Sequence, residues 1–261
     1  MQTDPILQSR LPLLSWMDPR TRRLPGVLPV EADEWLRVDD AFAAQMALRD
    51  RLIAQRRDAV HQMLPEAAPA AAELYATALA KLARTPGYRV AAGSVQRPDG
   101  VEVALDPSAP LATLGRLVQE DLCLMEAQDE EYRLTGAILC FPAGWTLAQK
   151  IGRPMTRIHA AVEPFTEDMA RRVHRMFAAI RPEQPLWRMN FLTYDDPVLH
   201  QPRLEGQSRP RPMGNFFVRS ERQCLLRLPQ TRAVVFAIHT YVVLAETLTE
   251  AETAALKEAV Y

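Results

Sequence analysis

The first half of the chain carries hydrophobic residues at a helical spacing. Over residues 39–64, large apolar side chains recur at steps of four and seven, with arginines between them. This pattern predicts an amphipathic helix that Pro65 ends. Residues 67–84 predict a second, alanine-rich helix, and helices joined by so short a link usually pair antiparallel. A further short helix is expected over 111–118.

From residue 121 onward, the pattern changes to short runs of branched and aromatic residues bounded by Pro, Gly, Asp or Gln, which is typical of strands. The predicted strands are 121–127, 132–141, 186–194, 216–218, 223–228 and 233–244. A helix is predicted over 166–180, and a closing helix over 249–260 begins at a sequence that resembles a capping box. Strands that do not alternate regularly with helices favour an α+β fold with a mainly antiparallel sheet.

The same patterns suggest three parts of the chain. Residues 1–40 contain prolines at a density that disfavours helices and central strands, and they carry Trp16 and Trp35. We therefore expect an N-terminal arm that packs on the body of the protein. Residues 41–110 are expected to form a helical annex, and residues 111–261 the core with its C-terminal helix.

Composition and charge narrow the class of protein. The 261 residues are 48% hydrophobic and 24% charged, which is enough for a substantial core. The formal net charge of −1 does not favour nucleic acid or an anionic membrane as the main partner. No apolar run approaches the roughly 20 residues of a membrane span, and no export signal is recognised at the N-terminus. Three widely separated cysteines argue against disulfides, so a cytoplasmic location is expected.

Two of the five histidines are candidate metal ligands. The usual motifs of nucleotide-binding folds, serine hydrolases and zinc peptidases do not occur. His61 and His174 lie on arginine-rich predicted helices and are expected to be exposed, and His200 lies in a polar loop. His159 follows a basic, glycine-containing loop, and His239 lies within the last strand. Either histidine could also be an ordinary buried side chain bonded to the backbone.

The loop before His159 suggests a particular ligand. Lys150, Arg153 and Arg157 surround Gly152, and the histidine itself stands among apolar residues. Such a cationic loop with one histidine suits a flat, hydrophobic, anionic ligand that needs an axial nitrogen. Haem fits that description.

Polar residues also alternate along the last two strands. Arg219, Glu221 and Gln223 are expected on one face of their strand. They form either a solvated ion pair of little energetic consequence or the polar wall of a pocket, where guanidinium groups such as those of Arg219 and Arg222 could bind haem propionates. On the last strand, alternation separates residues 234, 236, 238 and 240 from residues 235, 237, 239 and 241. The second set is the more polar, so it could line a cavity or face water.

An ordered set of short motifs resembles a known family. The motifs are Glu120-Asp121-Leu122, Phe141-Pro142-Ala143-Gly144-Trp145, Lys150-Ile151-Gly152, Ile158-His159, Glu221-Arg222-Gln223 with Leu228-Pro229, and Phe236-x-Ile238-x-Thr240-Tyr241. Together, over roughly residues 25–245, they resemble the α subunit of haem-dependent oxidative N-demethylase. Ala161, Glu163, Cys224 and His239 differ from the residues that are more usual in that family.

The resemblance implies a PAS-like haem domain, a curved antiparallel sheet that holds b-type haem. It also implies oxidative removal of a methyl group from a secondary amine such as dimethylamine, using O₂ and releasing formaldehyde. Electrons would come from a separate flavin and iron–sulfur reductase. The matching histidine is His159, as axial ligand and metal-binding residue, and Lys150, Arg153 and Arg157 would contact the propionates.

Several alternatives remain open from the sequence. Glu221 and Tyr241 are the candidate catalytic residues, and Glu163 could also hold a small ammonium group. His239 is the alternative axial ligand. A non-catalytic haem-binding sensor or storage protein of the same fold is the main rival function, and a structural or interaction protein with an empty pocket is a third.

Overall fold

The structure is a computed structural model that describes residues 5–22, 26–128, 131–159, 167–208, 212–214 and 216–260. The helices are α1 (Phe42–Gln55), α2 (Arg57–Val60), α3 (Ala68–Leu82), α4 (Pro110–Gly115), α5 (Leu147–Lys150), α6 (Met155–His159), α7 (Glu167–Ala179) and α8 (Glu250–Val260). The strands are β1 (Leu28–Pro29), β2 (His61–Met63), β3 (Arg89–Val90), β4 (Ser94–Gln96), β5 (Glu102–Ala104), β6 (Asp121–Gln128), β7 (Glu131–Ile138), β8 (Leu186–Tyr194), β9 (Phe217–Arg227) and β10 (Val234–Leu244).

Seven strands form one antiparallel sheet. Their order is β1-β8-β9-β10-β6-β7-β2, and β3, β4 and β5 form a separate small sheet. The long strands β8, β9 and β10 pair with one another over most of their length, and β10 joins them to β6. The mixed helices and the large antiparallel sheet confirm the predicted α+β fold.

Two predicted elements differ from the structure. The helix expected over residues 39–64 stops at Gln55, and His61–Met63 forms β2, which pairs with Gly136–Ile138 of β7. Backbone groups at the edge of β7 find partners through this pairing, so the tertiary contact overrides the local helical pattern. The strands expected over 216–218 and 223–228 are one strand, β9. The charged residues between them interrupt the apolar pattern of a strand, but in the structure their side chains form hydrogen bonds with other residues.

Helices from the first half of the chain cover one side of the sheet, which we call the α1 face. Leu122, Leu124, Leu226 and Val235 point to this side and share a core with apolar residues of α1, α3 and α4. Leu74 of α3 is fully buried in that core. The N-terminal helices and the sheet therefore bury their apolar surfaces against each other.

Helices from the connection between β7 and β8 cover the opposite side, the α7 face. Cys123, Met125 and Leu225 of the sheet pack there against Phe177 of α7 and Ile180. Trp145, Met155 and Ile158 are partly buried beside this core. The α7 face thus carries both a closed apolar region and side chains that are only half covered.

The N-terminal segment lies along the α1 face at the other end of the sheet. Leu11 and Trp16 share a cluster with Met189, Tyr241 and Leu256. The indole Nε1 of Trp16 donates a hydrogen bond to the backbone oxygen of residue 252 at 3.2 Å. The division into an arm (1–40), an annex (41–110) and a core (111–261) stays a prediction. Within the described ranges, every helix is too short or too polar to span a lipid bilayer.

Candidate functional site

A group of polar side chains lies on the α7 face of the three long strands. We call it the polar patch, and its members are Arg188, Asn190, Arg219, Glu221, Gln223 and Thr240. In the antiparallel register, Arg188 lies opposite Gln223, and Glu221 lies opposite both Asn190 and Thr240. Directly opposed residues point to the same side of a sheet, so three strands contribute to one surface.

Glu221 is the centre of the polar patch. Its carboxylate accepts hydrogen bonds from Nη2 of Arg219 at 3.3 Å, from Nε2 of Gln223 at 3.0 Å and from Nδ2 of Asn190 at 3.3 Å. These contacts confirm that Arg219, Glu221 and Gln223 share one face, as strand alternation predicts. The guanidinium of Arg219 also donates to the backbone oxygens of Leu199 and Phe141, so its position is fixed from two sides.

The polar patch also contains buried polar atoms that lack hydrogen-bond partners among the described residues. They are Nε of Arg188, Nε of Arg219 and Oγ1 of Thr240. Buried donors and acceptors in folded proteins are usually satisfied, because leaving one unpaired costs about 1–3 kcal/mol. Three such atoms on one surface indicate a place where a polar ligand or water belongs.

The turn between α5 and α6 places His159 on the α7 face as well. Gly152 adopts a φ of 73°, a left-handed conformation that suits glycine because it has no Cβ. α6 then places the half-buried imidazole so that Nδ1 lies 3.0 Å from the backbone oxygen of Met155. A carbonyl oxygen can only accept, so Nδ1 carries the proton and the lone pair lies on Nε2, as in many metal-binding histidines.

Burial lowers the pKa of His159. The hydrogen bond to Met155 opposes this shift, and the charges of Lys150 and Arg188 reinforce it. The imidazole is therefore neutral at neutral pH, which is the form that binds metals. Met155 and Ile158 of α6 pack beside the same apolar core as Phe236, so α6 places the histidine on the face that carries the polar patch.

Several apolar side chains on the same face as His159 are only partly buried. The partly buried side chains Trp145, Ile158, Val173, Met176 and Phe236 lie beside the apolar core of the α7 face. Their incomplete burial leaves apolar surface on the face that also carries a neutral histidine and a polar patch. This combination suits a flat, mainly apolar ligand with polar ends.

The basic loop before His159 forms its own ion pairs. Nζ of Lys150 and both terminal nitrogens of Arg157 contact the carboxylate of Glu205, and Arg153 is exposed. The hydrogen bonds from Arg157 and Lys150 lower the pKa of Glu205 to about 2. The contact of this loop with haem propionates stays a prediction, and it would compete with Glu205.

Arg222 and Tyr241 lie on the opposite side of the sheet from His159 and Glu221. Arg222 donates to the backbone oxygen of Glu34 at 2.8 Å, and its guanidinium lies 5.5 Å from the ring centre of Trp187. The structure therefore brings His159, Arg219 and Glu221 to one face and separates Arg222 and Tyr241 from them.

His239 also lies on the α1 face and is completely buried. Nδ1 lies 2.9 Å from Oε1 of Glu120, and Nε2 lies 3.0 Å from Oδ2 of Asp39. Burial alone would lower the pKa of His239, but the charge of Glu120 and the hydrogen bonds to both carboxylates raise it to about 9. Both ring nitrogens are engaged, which argues against His239 as an iron ligand.

A large cleft lies on the α1 face, between the N-terminal segment and β8. Its volume is about 1410 Å³, and Arg37, Trp187, Met189, Arg222 and Tyr241 are among its lining residues. The polar patch and His159 do not line this cleft. Size alone would direct attention there, but the unsatisfied polar atoms of the three long strands and the neutral histidine lie on the α7 face.

Sequence reasoning assigned no site role to three members of the polar patch: Arg188, Asn190 and Thr240. The alternation in Trp187-Arg188-Met189-Asn190 is visible in the sequence, but the register that places it beside Glu221 is not. His61 and His174 were expected to be exposed, and both are half-buried. Glu163 lies outside the described residues.

Among the described residues, no cluster of three or more His, Cys, Asp or Glu side chains could hold a metal ion. A haem iron needs only one such ligand from the protein, because the porphyrin supplies the others.

Comparison with known protein families gives an independent result. A family model described as "haem-dependent oxidative N-demethylase, alpha subunit-like" matches residues 26–261, which is most of the chain. This match confirms the resemblance carried by the ordered motifs. The chain belongs to the family of haem-dependent oxidative N-demethylase α-subunit-like proteins.

Proposed function

We propose that this protein binds b-type haem on the α7 face, with His159 as the axial ligand, and catalyses monooxygenase-type N-demethylation of a small secondary amine such as dimethylamine. The observation that carries the proposal is that a neutral histidine and a polar patch with unsatisfied buried atoms lie on the same face of the sheet, in a chain of this family. The single antiparallel sheet, with α5–α7 over the site, agrees with a PAS-like haem domain.

The residues present fit a haem. Nδ1 of His159 faces the backbone oxygen of Met155, which corresponds to the tautomer that binds metals through Nε2, and half-buried apolar side chains such as Ile158 and Phe236 provide surfaces for the porphyrin. When bound, the haem supplies the activation of O₂ and the oxidation of the methyl group. The protein's own groups bind and orient the amine, exclude water and accept or donate protons.

Glu221 is the residue that we assign to the amine. A small secondary amine is protonated at neutral pH, and its N–H groups can donate to a carboxylate. Arg219 and Gln223 hold the carboxylate of Glu221 in place, and Oε2 can receive the proton that the ammonium group must lose. Apolar neighbours limit the access of water to this proton.

The stoichiometry of the demethylation shows which other reactants the protein requires. A secondary amine, O₂, two electrons and two protons give the demethylated amine, formaldehyde and water. Nothing in this chain resembles a reductase, so the electrons would come from a separate flavin and iron–sulfur protein. We place the reaction in the cytoplasm, in accordance with three buried free cysteines.

A non-catalytic haem sensor or storage protein would use the same ligand and the same face. The two functions differ in turnover and not in the spectrum. The haem-loaded protein should therefore be incubated with dimethylamine, NADPH and a soluble flavin and iron–sulfur reductase, and formaldehyde and monomethylamine should be measured.

The proposal predicts equal amounts of the two products, dependent on haem, O₂ and reductase, and no formaldehyde when ammonium replaces dimethylamine. A protein that takes up haem and is reduced but releases no formaldehyde would contradict the catalytic proposal and leave the sensor or storage function.

A further inference from the structure

A haem that enters the α7 face brings two carboxylates, and most nearby cations already have partners. Lys150 and Arg157 both contact Glu205. Arg219 donates to two backbone oxygens and contacts Glu221. These groups could bind a haem carboxylate only if they released or shared their present acceptors.

Arg188 differs from these cations. It lies in the middle of β8, opposite Gln223, so it points to the α7 face as part of the polar patch. The residue is half-buried, and its Nε is buried without a hydrogen-bond partner among the described residues. A buried N–H donor that has no acceptor in the protein indicates a position where a ligand could supply one.

The charge of Arg188 interacts with both His159 and Glu221 of the proposed site. Its charge lowers the pKa of His159, and the carboxylate of Glu221 opposes the lowering that burial imposes on the pKa of Arg188 itself. In the antiparallel register Arg188 lies opposite Gln223, whose side chain donates to Glu221, and the described contacts include no hydrogen bond between Arg188 and Glu221.

The sign of the charge limits what Arg188 can bind. A guanidinium stays protonated in proteins and repels an ammonium substrate. It donates in a planar fork that matches a carboxylate, and a charge-assisted pair of this kind is stronger than a neutral hydrogen bond. The chemical group that suits this position is an anion carried by the cofactor.

We propose that Arg188 binds a carboxylate of the haem from within the α7 face and so fixes the orientation of the porphyrin relative to His159. The proposal rests on the proposed haem site and adds a residue that neither the basic loop nor the family motifs indicate. Arg188 acts on the cofactor and not on the amine.

The experiment compares haem with haem dimethyl ester, whose carboxylates are uncharged. Wild type, Arg188→Gln and Arg188→Lys are loaded with each porphyrin, and the rate of transfer to excess apomyoglobin is followed by absorbance. Arg175→Gln is the matched control, because Arg175 is an exposed arginine on α7. Circular dichroism of each variant checks that the fold is retained.

The proposal predicts that Arg188→Gln loses haem about tenfold faster or more, the range expected for one charge-assisted bond. Loss of the dimethyl ester should be equally fast from wild type and Arg188→Gln. Arg188→Lys should lie between them, and Arg175→Gln should behave as wild type. If Arg188→Gln does not fold, the propionate bending band in the resonance Raman spectrum of Arg188→Lys should still be shifted from that of wild type.

Equal haem loss from wild type and Arg188→Gln would overturn the proposal, and so would the same acceleration for haem and for its ester. Either result leaves the haem site itself in place. A wild-type protein that takes up no haem would instead overturn the proposed function and this inference with it.

Discussion

At the scale of single residues, Glu221 shows what the sequence could and could not predict. Strand alternation was sufficient to place Arg219, Glu221 and Gln223 on one face. It could not show that Tyr241, the other candidate catalytic residue, lies on the opposite face. That depends on the register of β10 against β9, in which Glu221 lies opposite Thr240. Register is decided by long-range pairing and cannot be read from one strand.

Replacement of Glu221 by glutamine should separate fold from turnover. Glu221→Gln removes the charge but keeps the shape, and Arg219 retains two backbone acceptors. We expect haem binding to be preserved, the free energy of unfolding to fall by about 1–3 kcal/mol, and formaldehyde release to fall about a hundredfold, as for the loss of an acid–base group.

Glu66→Gln is the control for this prediction, because Glu66 is exposed and lies outside the polar patch. A wild-type turnover rate in Glu221→Gln would show that the carboxylate does not act on the amine.

His239 should make stability depend on pH in the alkaline range. Its pKa is raised to about 9 in the folded protein from an ordinary value of 6.5. The folded state therefore binds the proton more tightly, so the stabilisation is complete below about pH 6.5 and is lost as the pH rises through 9. The expected loss in the free energy of unfolding is on the order of 3 kcal/mol.

Urea unfolding between pH 6 and 10 measures this loss, with His239→Gln as the comparison. The pKa of the neighbouring Tyr241 is itself raised by burial, so its ionisation does not fall in the same window. A similar alkaline loss of stability in the variant would show that another group is responsible.

At the scale of secondary structure, the sequence predicted most elements well. The strands β6, β8 and β10 and the helices α7 and α8 lie within a few residues of their expected bounds, because their apolar periods are uninterrupted. The small sheet of β3, β4 and β5 and the short helices α5 and α6 were not predicted. β2 and the middle of β9 were also missed, since their strand character comes from pairing with neighbours and from partners for charged side chains. Sequence alone indicated only Arg219, Glu221 and Gln223 of the polar patch, because the register that brings Arg188, Asn190 and Thr240 beside them cannot be read from one strand.

The packing of α4 against β7 depends on one glycine. A Cβ added at Gly115 would lie 2.4 Å from Cγ1 of Ile138, far inside normal contact. Gly115→Ala should therefore force a shift between α4 and the sheet and lower the free energy of unfolding by about 1–3 kcal/mol.

Thermal or urea unfolding of Gly115→Ala measures this cost. Gly93→Ala is the matched control, because a Cβ at Gly93 meets no atom within 4 Å. Equal stability of the two variants would show that the close packing of α4 on the sheet is not rigid.

At the scale of the whole molecule, the two faces of the sheet carry different kinds of polar group. On the α1 face, Glu120 and Asp39 engage both ring nitrogens of His239 and connect the N-terminal segment to β10, while Oε2 of Glu120 has no hydrogen-bond partner among the described residues. On the α7 face, which also carries His159, three atoms of the polar patch have no hydrogen-bond partner among the described residues. The physical reason for placing the cofactor on the α7 face is that three unsatisfied polar atoms of the long strands share this face with a neutral histidine, although a cleft of about 1410 Å³ lies on the other face.

The most direct test of this placement is the absorption spectrum of the haem-loaded protein and of His159→Ala. Wild type should bind one haem per chain with the Soret band of a histidine-ligated iron. His159→Ala should lose the haem or regain a similar spectrum only with added imidazole, and His61→Ala should match wild type. An unchanged Soret band and haem content in His159→Ala would contradict the account.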